Sequence, residues 1–282
     1  MKKVLAAALA ALMALSMAPA VQAADAESDM AYVQEKGTLV VGITDFAPMD
    51  YKDENGEWIG FDADMAKAFA ESLGVAVEFQ EIEWNNKILE LDGKSIDCVW
   101  NGMTLTAEVT EAMECSAPYC NNAQIVVLPA DKADQYQTVE SLAELNFAVE
   151  NGSAGMEMAQ ENSLNFTEVQ DQATALMEVA AGSADAAIID SLMAAAMVGE
   201  GTGYENLTYT VGLNSEEYGV GFRKGSDLAA ALDAFFAEKT ADGTLQQVAE
   251  TYGVQAALIA PAAEGEEAPA EETTAAETTA AE

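Results

Sequence analysis

Between residues 38 and 100, short apolar runs alternate with segments of helical periodicity, and this constrains the fold more than any other feature of the chain. TLVVG (38–42) reads as a buried strand. MDYKDENGEWIGF follows as two short extended segments around a DENG turn, as in a hairpin. Asp62 is then expected to cap a helix whose Phe61, Met65, Phe69 and Leu73 share one face and whose end is marked by Gly74. VAVEFQEI is the next strand, NNKILELDG a short helix and IDCVW another strand. Strand–helix–strand alternation of this kind makes a parallel sheet with helices on its faces.

A second series begins after AQIVVLP (123–129). SLAEL is a short helix, NFAVE a strand and SAGMEMAQEN a helix, followed by the strand FTEV, a helix from about Gln172 to Gly182, the strand DAAIID and a helix from Ser191. EYGVGFRKG (217–225) is extended, and two amphipathic helices, SDLAAALDAFFAEKT and TLQQVAETYG, close the fold. From Pro261 the chain turns into the acidic low-complexity stretch PAAEGEEAPAEETTAAETTAAE, which has nothing with which to pack a core and is expected to be disordered.

A formal charge of −38 in 282 residues makes a surface that repels nucleic acid and anionic lipid, so partners of those classes are excluded. Lys2 and Lys3 precede an apolar run from Val4 to Met17, and Val21-Gln22-Ala23 supplies small residues for a signal peptidase. The expectation is a secretory signal over residues 1–23, a polar linker over 24–36 and a secreted, extracytoplasmic product with no membrane span after cleavage. Histidine is absent and the cysteines number three, so neither a metal site nor a cofactor is expected. Cys98, within IDCVW, reads as a small buried hydrophobe; Cys115 and Cys120 bracket SAPY and either form a bridge or stay reduced.

In open α/β sheets, ligands sit beyond the carboxyl ends of the strands. NGMTLT follows the strand IDCVW, ENGSAG follows NFAVE, and Asp190 ends AAIID. Glycine, serine and threonine at a strand end are ordinary turn residues when taken singly. Three such elements on the ligand edges of two lobes suggest a cleft between the lobes.

The stretches VGITDFAPMDYKDENGEWIGFDADMAKAFAESLGV and IEWNNKILELDGKSIDCVWNGMTLT, with VENGSAG, SADAAIID, EEYGVGFRKGSDL and ADGTLQQVAETYG, resemble the amino-acid-binding family (family 3) of bacterial extracellular solute-binding proteins. The resemblance runs from about Gly37 to Gly253. It implies an α/β, two-lobed periplasmic-binding-protein fold, each lobe a mostly parallel sheet flanked by helices. Residues 37–126 and 219–256 would form the first lobe and 127–218 the second, with 257–282 as the tail. Crossings near Ile125–Pro129 and Glu217–Gly221 would be the hinge. The implied function is capture of a polar amino acid, or a related amine, for delivery to an ABC permease and its ATPase by a monomeric receptor with no chemistry on the solute. A dehydratase of the cyclohexadienyl class on the same scaffold, with Glu150 or Asp190 as its acid, and an extracellular sensor module are the alternatives.

By the same resemblance Phe46 and Trp84 would be aromatic walls, although core packing is the commoner fate of such residues. Asp45 stands beside Phe46, and Asn101 begins the NGMT turn. Gly102 and Thr104 would bind the ligand α-carboxylate, together with Gly152, Ser153 and Ala154 at a helix N-terminus, where free donors and the helix dipole favour an anion. Asp190 would pair with the α-ammonium, although an aspartate at a strand end is also an ordinary helix cap.

The family pattern places an arginine three residues after the second threonine, where this chain has Val109. Losing one partner of a desolvated charge pair costs about 2–5 kcal/mol. Three readings stay open. The carboxylate could be held by Thr104, the helix N-terminus and Lys87. The ligand could be an amine or other cation, suited to Asp190, Glu150, Asp45 and the aromatic walls. Or tight binding could have been lost. Arg223, the sole arginine, is expected to be solvated and not to replace the missing one.

Overall fold

The computed structural model describes residues 28–259. The expected signal at 1–23, the first residues of the linker and the tail from residue 260 lie outside the described residues. From Asp29 the expected linker is instead a helix, α1 (Asp29–Lys36), capped by the Ser28 hydroxyl, which accepts from the Ala31 N–H. Its anchor is Arg223, which is only 9 % exposed: Nε donates to both Asp29 carboxylate oxygens at 2.9 and 3.0 Å, and Nη1 donates to the Ile96 carbonyl at 2.9 Å. The guanidinium is therefore a buried structural clasp and not a solvated side chain.

The first lobe continues through β1 (Thr38–Ile43), the β2–β3 hairpin (Tyr51–Lys52 and Trp58–Ile59), α2 (Phe61–Leu73), β4 (Ala76–Glu81), α3 (Lys87–Asp92), β5 (Cys98–Thr104), α4 (Ala107–Ala112), β6 (Met113–Cys115) and β7 (Cys120–Asn122). The second lobe comprises β8 (Gln124–Pro129), β9 (Asn146–Glu150), α5 (Ala154–Glu161), β10 (Asn165–Val169), α6 (Gln172–Ala181), β11 (Ala186–Asp190), α7 (Ser191–Met197) and β12 (Leu207–Gly212). The chain then returns through β13 (Glu216–Arg223), α8 (Leu228–Ala241) and α9 (Thr244–Tyr252) to the first lobe.

The first sheet has the order β4-β1-β5-β13-β6, with β7 also on β13, and the second the order β10-β9-β11-β8-β12. In each sheet three strands are parallel, β4-β1-β5 and β10-β9-β11, and the remaining strands join antiparallel. The antiparallel additions include β8 and β13, the strands on which the chain enters one lobe and re-enters the other, so the sheets are less uniformly parallel than the sequence suggests. The crossings fall at residue 123 and at residues 213–215, a few residues ahead of the expected places. QIVVLP (124–129) is already inside the second sheet, and its apolar character comes from burial there.

Two further expectations change. Gly60, not Asp62, is the N-cap of α2, and the Asp62 side chain turns into the protein, where it accepts from the Tyr119 hydroxyl and the Gly102 N–H. The fold also extends past 256: the Asn121 N–H donates to the Ala257 carbonyl at 2.7 Å and the Ile259 N–H to the Tyr119 carbonyl at 2.9 Å. All three cysteines are free thiols. Among the described residues no helix is long and apolar enough to cross a membrane.

Candidate functional site

β1, β5, β9 and β11 run parallel within their sheets and end at the gap between the lobes, where residues of both lobes line one cleft. Its space, open mouth included, is about 460 Å³. From the first lobe come Phe46, Trp84, Asn101, Gly102 and Thr104; from the second come Gly152, Ser153, Ala154 and Asp190. Asp45 does not line it. The residue is exposed at the surface, yet the atoms packed around its carboxyl, then the carboxylates of Asp171 and Glu81, raise it above the usual range.

The first-lobe floor is rigid because its polar groups bond one another. Asn101 Oδ1 accepts from the N–H and hydroxyl of Thr44 at 2.9 and 2.8 Å, and its amide donates to the Thr44 carbonyl and to Asp50. With every side-chain bond taken, Asn101 supports the floor and offers nothing to a solute. Gly102 has φ +53°, and a Cβ there would lie 2.4 Å from the Phe46 ring, so only glycine admits the aromatic wall at this place. Its N–H donates to Asp62 at 2.7 Å and is not available to a carboxylate, against the role expected from the sequence. Thr104 donates its hydroxyl to Glu216 at 2.9 Å. Phe46 meets Tyr218 edge to face, with ring centroids 6.4 Å apart.

Val109 is 3 % exposed in an apolar cluster with Ile82, Trp84, Met103 and Met113. Valine extends that cluster to the edge of the cleft. The cation nearest in role is Lys87, at the start of α3 and 6 % exposed. Its ammonium lies 4.9 Å from the Trp84 ring centroid and donates across the gap to the Gly152 carbonyl at 2.9 Å. Burial lowers its pKa, while Glu108, Glu150 and Glu157 act to raise it. Gly152 has φ +74°, and a Cβ there would stand 2.7 Å from the Asn85 Cα, so glycine is what lets the lobes approach at this point.

On the second lobe, Ser153 caps α5, its hydroxyl accepting from the Met156 N–H at 3.2 Å, and its own N–H donates to the Glu150 carbonyl. The N–H of Ala154, at the first helical position, has no intrahelical acceptor. Asp190 precedes α7 but makes no capping bond. Its oxygens accept instead from the Gln124 amide and from the Tyr218 hydroxyl, the latter at 2.6 Å. Burial, then the nearby Glu216 carboxylate, push its carboxyl up to about 7 against the pull of those hydrogen bonds. Glu150, beside it, is raised well above the usual range by burial and then by Asp190.

Thr44, Thr106, Glu108, Glu157 and Gln172 also line the cleft and were not singled out from the sequence. Thr44 directly follows β1 and was open to the strand-end argument; Gln172 begins α6 and carries no motif.

Two α/β lobes joined by two crossings, with a polar cleft drawing on both, define a solute-binding protein. The chain belongs to the bacterial extracellular solute-binding proteins, family 3, whose family model matches residues 39–255. It is 28 % identical over 227 residues to the L-cystine-binding protein TcyJ of Escherichia coli K12, covering 78 % of this chain and 84 % of that protein. A cyclohexadienyl dehydratase of Pseudomonas aeruginosa is 27 % identical over 189 residues, 65 % of this chain and 70 % of the enzyme. A mutant arginine-binding protein of Thermotoga maritima, solved by crystallography, superposes with a TM-score of 0.75 at 30 % identity, covering 80 % of this chain and 99 % of the other.

Proposed function

We propose that this protein is an extracytoplasmic receptor that captures a polar amino acid or related amine in the interlobe cleft and delivers it to an ABC permease and its ATPase. The observation that carries the reading is Asp190: a buried carboxylate at a strand end that caps no helix and borders a cleft drawn from both lobes. In that position it suits an ammonium group. The Lys87 ammonium and the open N-terminus of α5 line the same cleft and suit a carboxylate. The relatives that bind amino acids support this class of solute. Ligand binding would favour the closed arrangement of the lobes, and the importer would read that arrangement.

Thermal unfolding of refolded, ligand-stripped protein with each L-amino acid beside its decarboxylated amine tests the reading. A solute at about 100 times its dissociation constant adds roughly 2.7 kcal/mol of stability. No shift from any compound would sink the proposal.

A second reading is favoured by Glu150 and Asp190, two buried acids held towards protonation, and by the dehydratase relative. Substrates of that class carry carboxylates, and among the described residues Lys87 is the single cation lining the cleft. Absence of product from prephenate or arogenate at high protein concentration would end it.

A further inference from the structure

Glu150 ends β9 on the cleft wall, 3 % exposed, and its Oε1 has no hydrogen-bond partner. A buried carboxylate oxygen in that state is costly unless a donor or a proton reaches it. No donor reaches Oε1, although the Lys87 charge and the Gln172 amide beside Glu150 favour its ionised form. Gln124 and Tyr218 donate to Asp190, and the Lys87 ammonium donates to the Gly152 carbonyl. Among the charged side chains lining the cleft, Glu108, Glu150, Glu157 and Asp190 stand against Lys87 alone.

Glu150 and Asp190 end neighbouring parallel strands, since β9 pairs with β11 in the register Ala187 to Ala148. The Asp190 carboxylate is close enough to bear on the charge of Glu150. An ammonium group placed at Asp190 satisfies that acid and leaves Glu150 over. A neutral or apolar solute would bury the acid with no counter-charge but Lys87, which Glu108 and Glu157 share, and an acidic one would add a like charge.

Building on the receptor reading, we infer that Glu150 is a specificity-determining residue that receives a second cationic group, so that the solute is a basic amino acid or the diamine or guanidino-amine derived from one. Asp190 takes one cation and Glu150 the other. A carboxylate on the solute, where there is one, falls to Lys87 and the N-terminus of α5.

Calorimetric titration of ligand-stripped protein with L-lysine, L-arginine, 1,5-diaminopentane, L-glutamine and L-leucine tests this, in the wild type and in Glu150→Gln. L-lysine, L-arginine or 1,5-diaminopentane is expected to bind at least about 30-fold more tightly than L-glutamine, the scale of an uncompensated buried charge. Glu150→Gln is expected to remove most of that preference, by weakening the cations and by strengthening L-glutamine, which no longer buries an uncompensated charge. L-glutamine or L-leucine binding the wild type as tightly as the cations, or a Glu150→Gln variant that keeps the preference, overturns the inference and leaves the receptor reading standing. No binding by any compound overturns both. Should Glu150→Gln fail to fold, the wild-type ranking decides alone.

Discussion

The Lys87 ammonium donates to the Gly152 carbonyl at 2.9 Å, and so bonds the first lobe to the second across the mouth of the cleft. It is at once an interlobe latch and the cation nearest in role to the arginine that Val109 replaces. A lysine has three donors in all. The bonds to Gly152 and, at 3.4 Å, to the Trp84 carbonyl leave one for a solute.

Lys87→Met should therefore weaken binding of a carboxylate-bearing solute more than that of its amine. A hydrogen bond to a charged group contributes about 1.5–3 kcal/mol, so a loss of roughly tenfold or more is expected for L-lysine. 1,5-Diaminopentane should lose only what the latch contributes to closure. Parallel titrations of the two compounds separate the roles, and equal losses would assign Lys87 to closure alone.

Arg223→Met should destabilise the fold without touching solute affinity. It leaves the buried Asp29 carboxylate without its cation and α1 without its anchor, while Asp97 keeps Lys36. Breaking a buried pair on one side costs about 3–5 kcal/mol, read as a lowered denaturant midpoint. Affinity measured well below that midpoint should be unchanged, because Arg223 does not line the cleft.

How far such residues can be read from sequence depends on whether their partners are local. Strand and helix order was legible because each element carries its own periodicity, as in Phe61, Met65 and Phe69 of α2. The strand-end argument led to Thr104, Ser153 and Asp190 for the same reason. Arg223 was misread because its partners lie 194 and 126 residues away, in α1 and ahead of β5. Asp62 looks like a helix cap in its own neighbourhood, and only the approach of Gly102 and Tyr119 turns it inward. Gly102 was recognised as part of the site, but the direction of its N–H is set by that same distant acid.

Asp190 gives a pH signature of unusual sign. Its carboxyl is raised from an ordinary 3.8 to about 7, by burial and by Glu216, with Glu150 also beside it and Tyr218 and Gln124 donating to it. Between those two values the native state holds a proton that the unfolded chain has lost, so stability falls as pH rises through that window. Asp62, also raised to about 7 by burial, acts in the same direction. The empty protein should unfold at a lower temperature at pH 7.5 than at pH 5. Binding of a cation prefers the ionised acid, so the shift produced by 1,5-diaminopentane should grow over the same range, with proton release. A flat profile for both would mean that Asp190 is ionised throughout.

Glu216 ties the two crossings together. Its Oε1 accepts from Asn122 at 2.6 Å and Gln124 at 2.8 Å, which flank the first crossing, and from Thr104 at 2.9 Å; its Oε2 accepts from Asn214 at 2.8 Å, beside the second. One carboxylate thus fixes how the strands leave one lobe for the other, and Glu216→Ala frees all four donors at once. The four bonds lie at the crossings and the mouth of the cleft and not in the apolar clusters, so the loss should fall on the relative placement of the lobes more than on global stability. Small-angle scattering of the empty variant should show a larger radius of gyration, returning to the wild-type value at saturating solute. Apparent affinity should drop by the factor by which the closed population falls. Removing Glu216 also takes away the like charge that helps hold Asp190 near 7, so the variant's pH profile should move to lower pH. A variant that expands without that shift would separate the hinge from the cleft; one showing neither change would remove Glu216 from both.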